Sequence, residues 1–247
     1  MHSYAEHARE IGLREIGFSD HNPLPGGRSA GARMAEAELE SYVQCVLDLQ
    51  SQYRGQIGVL LGLEMDYLET QEDYLHRQLK AYPWDFVIGS VHFFDDACQL
   101  DIEARDYPGT ADEQYVRYFE LVRRLARSGL CDIIGHLDLV KRSGRVPTQR
   151  GLDEVVPTLA EVARAGLTLE INTSGYRHTG LPVPQPYPSL PIVEQAMRLG
   201  IPLVVNSDAH APTQVGLAFV EVGDFLVRSG CQQLCRFARR ARTVWAP

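Results

Sequence analysis

The chain has no apolar run near the roughly 18 residues that a membrane-spanning helix needs, so a bilayer is not an expected partner. Its five cysteines, Cys45, Cys98, Cys131, Cys231 and Cys235, are odd in number and scattered, with no C-x-x-C pair. That excludes a disulfide framework and favours a reducing compartment. No leader peptide is expected ahead of the first helical pattern, and the expected location is cytoplasmic. Cys231 and Cys235, four apart in a stretch that reads as helix, are expected to be packed thiols rather than half a metal site. Basic charge is also scarce. With 24 Lys and Arg against 32 Asp and Glu, the net charge is −8. This disfavours a nucleic-acid backbone as partner, yet allows a small phosphorylated substrate held with the help of metal ions. Neither G-x-G-x-x-G nor G-x-x-x-x-G-K occurs, so there is no nucleotide-phosphate cradle. Repeats, low-complexity tracts and linkers are missing too, and residues 1–247 are expected to form one β/α domain.

What is present is an alternation of helical and extended patterns. Helices are expected over 3–11 (Ser3 as N-cap, with Glu6 at capping-box spacing), 34–53, 72–80, 111–127, 152–165 and 192–199. Strands are expected over 14–19, 57–63, 86–91, 131–135, 167–171 and 202–205. Residues 95–108 and 179–191 read as loops, and 216–241 as a mostly helical tail whose Arg236, Arg239, Arg240 and Arg242 form a solvated helix end. Such alternation implies parallel strands with right-handed crossovers.

Six of the apolar runs end in side chains able to hold a metal: His21, Glu64, His92, His136, Glu170, and the pair Asp208 and His210. Apolar runs of this length read as strands buried on both faces. Polar groups placed after such strands are how a parallel barrel builds a site at its C-terminal mouth. His and carboxylate together suit Zn, Mn or Fe. Each residue alone is as readily a hydrogen-bonded structural group. Taken together, His21, Glu64, His92, His136, Asp208 and His210 form the expected metal-ligand set, with Glu64 able to bridge two cations. Two cations can clamp a phosphoryl group for in-line displacement. Asp20 and Asp138 suit supporting or proton-donating roles as well as capping ones, and Asn172 could orient a ligand. Arg177 is a candidate for bidentate phosphate binding. Lys141 and Arg142 could draw in an anion. His2, His7 and His76 read as surface residues. A serine-nucleophile reading of Ser207, Asp208 and His210 is weak, because no G-x-S-x-G elbow accompanies it.

In order, these stretches are Gly17-Phe18-Ser19-Asp20-His21-Asn22-Pro23, Gly62-Leu63-Glu64, Gly89-Ser90-Val91-His92-Phe93, Gly135-His136-Leu137-Asp138-Leu139-Val140-Lys141, Glu170-Ile171-Asn172-Thr173-Ser174-Gly175 and Asn206-Ser207-Asp208-Ala209-His210. The set resembles the polymerase-and-histidinol-phosphatase (PHP) superfamily, and in its Ser-Val-His-Phe and Gly-His-Leu-Asp-Leu-Val-Lys pieces the histidinol-phosphatase branch. The resemblance implies a distorted (β/α)7 TIM-like barrel with two to three divalent metal ions and hydrolysis of L-histidinol phosphate. It implies that Glu64 bridges two metals, that His92 and His136 complete one of them and Asp208 the other, and that His21 and His210 serve a third. Arg177, with Lys141 nearby, would hold the phosphate, and Asp208 and His210 would stand at the catalytic centre.

The family opens with a strand bearing His-x-His, which this chain lacks; His2 and His7 do not match its spacing. The expectation is a native chain that begins further upstream. The rival readings are a PHP phosphoesterase acting on nucleotides or phosphotyrosine, and a degenerate barrel that binds without catalysis.

Overall fold

The structure, a computed structural model, describes residues 1–27, 33–178, 183–231 and 233–245. Part of the loop expected over 179–191 therefore lies outside the described residues. Six strands, β1 (Glu15–Phe18), β2 (Gly58–Asp66), β3 (Phe86–Ser90), β4 (Ile133–Ile134), β5 (Thr168–Asn172) and β6 (Leu203–Asn206), pair in chain order, all parallel. They curl into a half-barrel with helices outside. The helices are α1 (His2–Glu10), α2 (Leu39–Gln52), α3 (Glu72–Ala81), α4 (Ala111–Ser128), α5 (Gln149–Leu152), α6 (Val155–Arg164), α7 (Leu190–Arg198) and α8 (Phe219–Arg228). Neighbour-to-neighbour pairing is the signature of a singly wound barrel. Among the described residues β1 and β6 do not pair. A cavity of about 1320 Å³ opens between them, lined by Ile16, Phe18, Phe86, Val204 and Phe237 among others.

Alternation along β2 sorts its side chains. Val59, Leu61, Leu63 and Met65 are buried among the helices, so Leu60, Gly62, Glu64 and Asp66 face the barrel interior. Helix α4 shows why the helical pattern is so readable. Thr110 accepts a hydrogen bond from Glu113 N (3.2 Å), and the Glu113 carboxylate accepts one from Thr110 N (2.7 Å). Gly129 then ends the helix at φ +70°, a conformation glycine adopts without a Cβ penalty. Tyr115, Tyr118, Phe119, Val122 and Leu125 form its buried face.

Two expectations fail locally. Helix α1 starts one residue early, with Met1 at its N-cap, so Ser3 lies inside the helix and caps nothing. The tail is helical only over α8. It then forms an antiparallel hairpin, β7 (Leu234–Ala238) and β8 (Ala241–Trp245). The period-2 burial of Cys235 and Phe237 against exposed Arg236 and Ala238 is a strand signal. Its turn residues, Arg239 and Arg240, adopt positive φ (+49° and +61°) without the Gly or Asn that announces such a turn. Tertiary contacts supply what the turn chemistry does not. Arg240 N bonds Asp85 O at 2.8 Å, its guanidinium reaches Asp132, and Arg242 bonds Gly166 O at 2.8 Å. Two of the arginines expected on a solvated helix end, Arg240 and Arg242, thus tie the hairpin across the N-terminal ends of β3, β4 and β5. Cys235 and Phe237 plug the barrel against Phe86, Ile88 and Ile133. Cys235 is a packed thiol as expected, but on a strand.

With that end closed, the opposite, C-terminal rim is where function has room. The barrel floor is tight: a Cβ on Gly62 would lie 2.2 Å from Phe86 Cζ. Gly62→Ala is expected to destabilise the protein by about 1–3 kcal/mol through overpacking. In a Phe86→Leu background the same change should cost clearly less. Urea unfolding of the four proteins of this cycle checks the prediction, and equal costs in both backgrounds would count against it.

Candidate metal centre

Four of the six expected ligands meet at the C-terminal ends of β1 to β4. β2 runs three residues further than its apolar run suggests, so Glu64 lies within the strand, and His21 bridges to it from the segment after β1. His92 follows β3 by two residues and His136 follows β4 by two. Their donor atoms form a triangle. Glu64 Oε1 is 3.1 Å from His136 Nε2 and 3.6 Å from His92 Nε2, and the two Nε2 atoms are 3.2 Å apart. A tetrahedral cation with bonds of about 2.0–2.1 Å separates its ligands by about 3.3 Å. Two imidazole lone pairs facing one another at 3.2 Å repel unless a proton or cation stands between them. His21 Nδ1 is buried without a hydrogen-bond partner and faces Glu64 Oε2 at 3.8 Å and Asp66 Oδ2 at 3.6 Å. The donor set fits a divalent cation.

The electrostatics of the protein's own groups say the same. Burial pushes Glu64 up, but His21, His136 and His92 outweigh it and hold the carboxyl well below the usual range. Burial opposes charge on His136, yet its hydrogen bond to Glu64 and that carboxylate's charge raise it to about 9. A proton thus occupies the place between Glu64 and His136 that a cation would take. His21 carries no such compensation: burial lowers it, despite Glu64 and Asp66.

Asp66 escaped the sequence reading. It is fully buried and lies 2.6 Å from His92 Nδ1. A carboxylate can only accept, so the proton sits on Nδ1 and the lone pair of Nε2 is free for the site. The missed signal is Glu64-Met65-Asp66: carboxylates two apart on a strand share a face.

The other half of the rim is built around Glu170. This fully buried carboxylate accepts hydrogen bonds from His136 N (2.8 Å), Asn206 Nδ2 (2.8 Å) and Asn172 Nδ2 (3.2 Å), tying together the ends of β4, β5 and β6. Asn172 also donates to Asp208 Oδ2 at 3.2 Å. Asp208 sits in a left-handed turn (φ +47°) outside the Glu64 triangle, though near enough to favour the charged form of His136. His210 is 66% exposed and belongs to neither cluster of potential ligands, its Nδ1 lying 3.5 Å from Asp208 Oδ1. Arg177 donates to the carbonyls of Asp208 (2.7 Å) and Ser207 (3.4 Å). Among the described residues no carboxylate oxygen lies within 4.0 Å of its guanidinium, and the Asp208 carboxylate acts on it from further away. Lys141 differs. Its ammonium bonds Asp138 Oδ2 (2.9 Å) and Pro186 O (3.1 Å) and lies over the Tyr187 ring, which commits its charge to holding the neighbouring loop.

In the metal-free protein His136 keeps its proton below about pH 9. Ligation needs that lone pair, so acid opposes binding. Zn²⁺ affinity is expected to fall by about tenfold per pH unit from about pH 8 to pH 6 for this one proton. Calorimetry in buffers of different ionisation enthalpy reads the released proton, and an affinity independent of pH would contradict the coupling.

The "PHP domain" family model matches residues 1–174, and "PHP-associated" matches residues 192–243. A Deinococcus radiodurans protein named "Probable histidinol-phosphatase" is 38% identical over 226 residues, covering 88% of this chain and 83% of that protein. The Bacillus subtilis histidinol-phosphatase is 31% identical over 248 residues, covering 89% and 90%. A solved Lactococcus lactis histidinol phosphate phosphatase, complexed with zinc, L-histidinol and phosphate, superposes with a TM-score of 0.82 at 20% identity, covering 98% of this chain and 92% of that one. That superposition shows a shared fold. The chain is a member of the PHP domain family.

Proposed function

We propose that the protein is a metal-dependent phosphomonoesterase that hydrolyses L-histidinol phosphate to L-histidinol and phosphate. The observation that carries this is the Glu64–His92–His136 triangle, in a chain with relatives named for that activity. Two to three divalent ions, of Zn, Mn or Fe, suit a rim with this many imidazoles and carboxylates. Glu64, His92 and His136 would hold one ion, His21 and Asp208 would reach further ones, and when bound the ions supply Lewis acidity to the phosphoryl oxygens.

The chain's own groups account for the rest. Arg177, anchored by two carbonyls, presents its guanidinium to the phosphate. Glu170 and Asn172 hold Asp208 in its strained turn. His210, exposed beside Asp208, can pass a proton to the leaving alcohol oxygen. Five free thiols support a cytoplasmic setting for the reaction, and no described helix is long and apolar enough to cross a membrane. One observation favours a second reading, a barrel that binds without turnover: Asp208 and His210 stand outside the ligand clusters.

Purified protein supplied with Zn²⁺ or Mn²⁺ is expected to release phosphate from L-histidinol phosphate at least tenfold faster than from a nucleoside monophosphate or phosphotyrosine, and chelation should stop it. Metal uptake without any phosphate release would instead establish the non-catalytic barrel. His92→Ala should remove most metal binding and turnover. Arg177→Met should lower kcat/KM by about 100-fold while metal content stays unchanged; loss of metal from that variant would place Arg177 in the ligand framework instead.

A further inference from the structure

Two clusters near the rim could each take a cation: Glu64, His92 and His136, and His21, Asp66 and His92. They share His92. A neutral imidazole has one lone pair and one N–H, so His92 can ligate at Nε2 toward the first cluster or at Nδ1 toward the second, not both.

Arg33 decides between them. Its Nε donates to Asp66 Oδ2 at 2.8 Å and its Nη2 to Asp66 Oδ1 at 2.9 Å, a bidentate fork on a carboxylate with no exposed surface. Asp66 Oδ1 also accepts from His92 Nδ1 at 2.6 Å. Both oxygens are engaged, and a cation bound at Asp66 would lie close to a fixed positive charge in a poorly solvated site. The guanidinium is itself seated, 4.8 Å above the ring of Phe93, the residue after His92.

We infer that Arg33 is a positioning residue: it keeps Asp66 out of the ligand set, makes it the acceptor for His92 Nδ1–H, and so commits His92 Nε2 to Glu64 and His136. This rests on the metal-centre reading above. Such outer partners typically govern 10–100-fold in metal affinity.

The test is a Zn²⁺ titration of metal-free protein against a chromophoric chelator, for the unsubstituted chain, Arg33→Met, Arg33→Lys, Asp66→Asn and the Arg33→Met/Asp66→Asn double variant. Arg33→Met is expected to weaken the tightest site 10–100-fold. In the Asp66→Asn background it should add less than twofold, because it acts through Asp66. Nitrogen-15 spectra should show His92 protonated at Nδ1 in the unsubstituted chain and a mixture of tautomers in Arg33→Met. A folded Arg33→Met that binds Zn²⁺ within twofold of the unsubstituted chain overturns the inference, as do losses that multiply in the double variant. Should Arg33→Met not fold, Arg33→Lys decides, since it keeps the charge and loses the fork: unchanged affinity overturns the inference and a tenfold loss supports it. An unsubstituted chain that takes up no Zn²⁺ defeats the metal-centre reading, and the Arg33 inference with it.

Discussion

The Glu64 carboxylate, 13% exposed and ringed by the imidazoles of His21, His92 and His136, is the interaction on which the rest of the molecule turns. A buried carboxylate is costly unless opposite charge meets it. Here the compensating charge sits on His136, and the imidazoles of His21 and His92 reach the same carboxylate from two further strand ends that share no local sequence with it. The barrel is the device that makes this possible. Neighbouring parallel strands put their C-terminal ends within a few ångströms of one another, so one side chain from each can converge on a point. The 3.1–3.6 Å triangle of donor atoms is the result, and its spacing matches the reach of a small cation.

The two ends of the barrel divide the work. At the N-terminal end the β7–β8 hairpin is lashed down by Arg240 on Asp132 and on the Asp85 carbonyl, and Phe237 and Cys235 fill the interior. Inside, that end is apolar. The opposite rim gathers buried polar groups that apolar packing would reject: Asp66, Glu170, Asn172 and His136. Several of their hydrogen bonds cross from one strand end to another: Glu170 to His136 N and Asn206, Asn172 to Asp208, and Asp66 to His92. Glu170, which joins three strand ends, stabilises the rim and orients its contents at once. The strained turn at Asp208 is affordable within that frame.

Much of this was legible in the sequence because it depends on local pattern. Apolar runs of strand length, a capping box at Thr110 and Glu113, and Gly129 at a helix end each carry their own physical reason. His21, Glu64, His92 and His136 could be picked out because each stands just after, or at the end of, an apolar run. What escaped was decided by partners far away. Asp66 drew no notice in the sequence; its role appears only where His92 and Arg33, 26 and 33 residues distant, meet it. Lys141 reads as an anion attractor in the sequence; that its ammonium also donates to Pro186 O, 45 residues away, was not readable there. Arg239 and Arg240 form a hairpin turn because contacts across the barrel floor reward it, against their own turn preference.

By itself the sequence determined the alternation of strands and helices, and it pointed to His21, Glu64, His92 and His136 as side chains at the C-terminal end of the barrel. These follow from hydrophobic period and from the direction of a parallel strand. The tertiary structure alone decided which donor atoms meet, which carboxylate faces imidazoles and which is neutralised by arginine, and which nitrogen of His92 faces the site. Distances of 3 Å between residues tens of positions apart depend on register and curvature, and neither is written in any single segment.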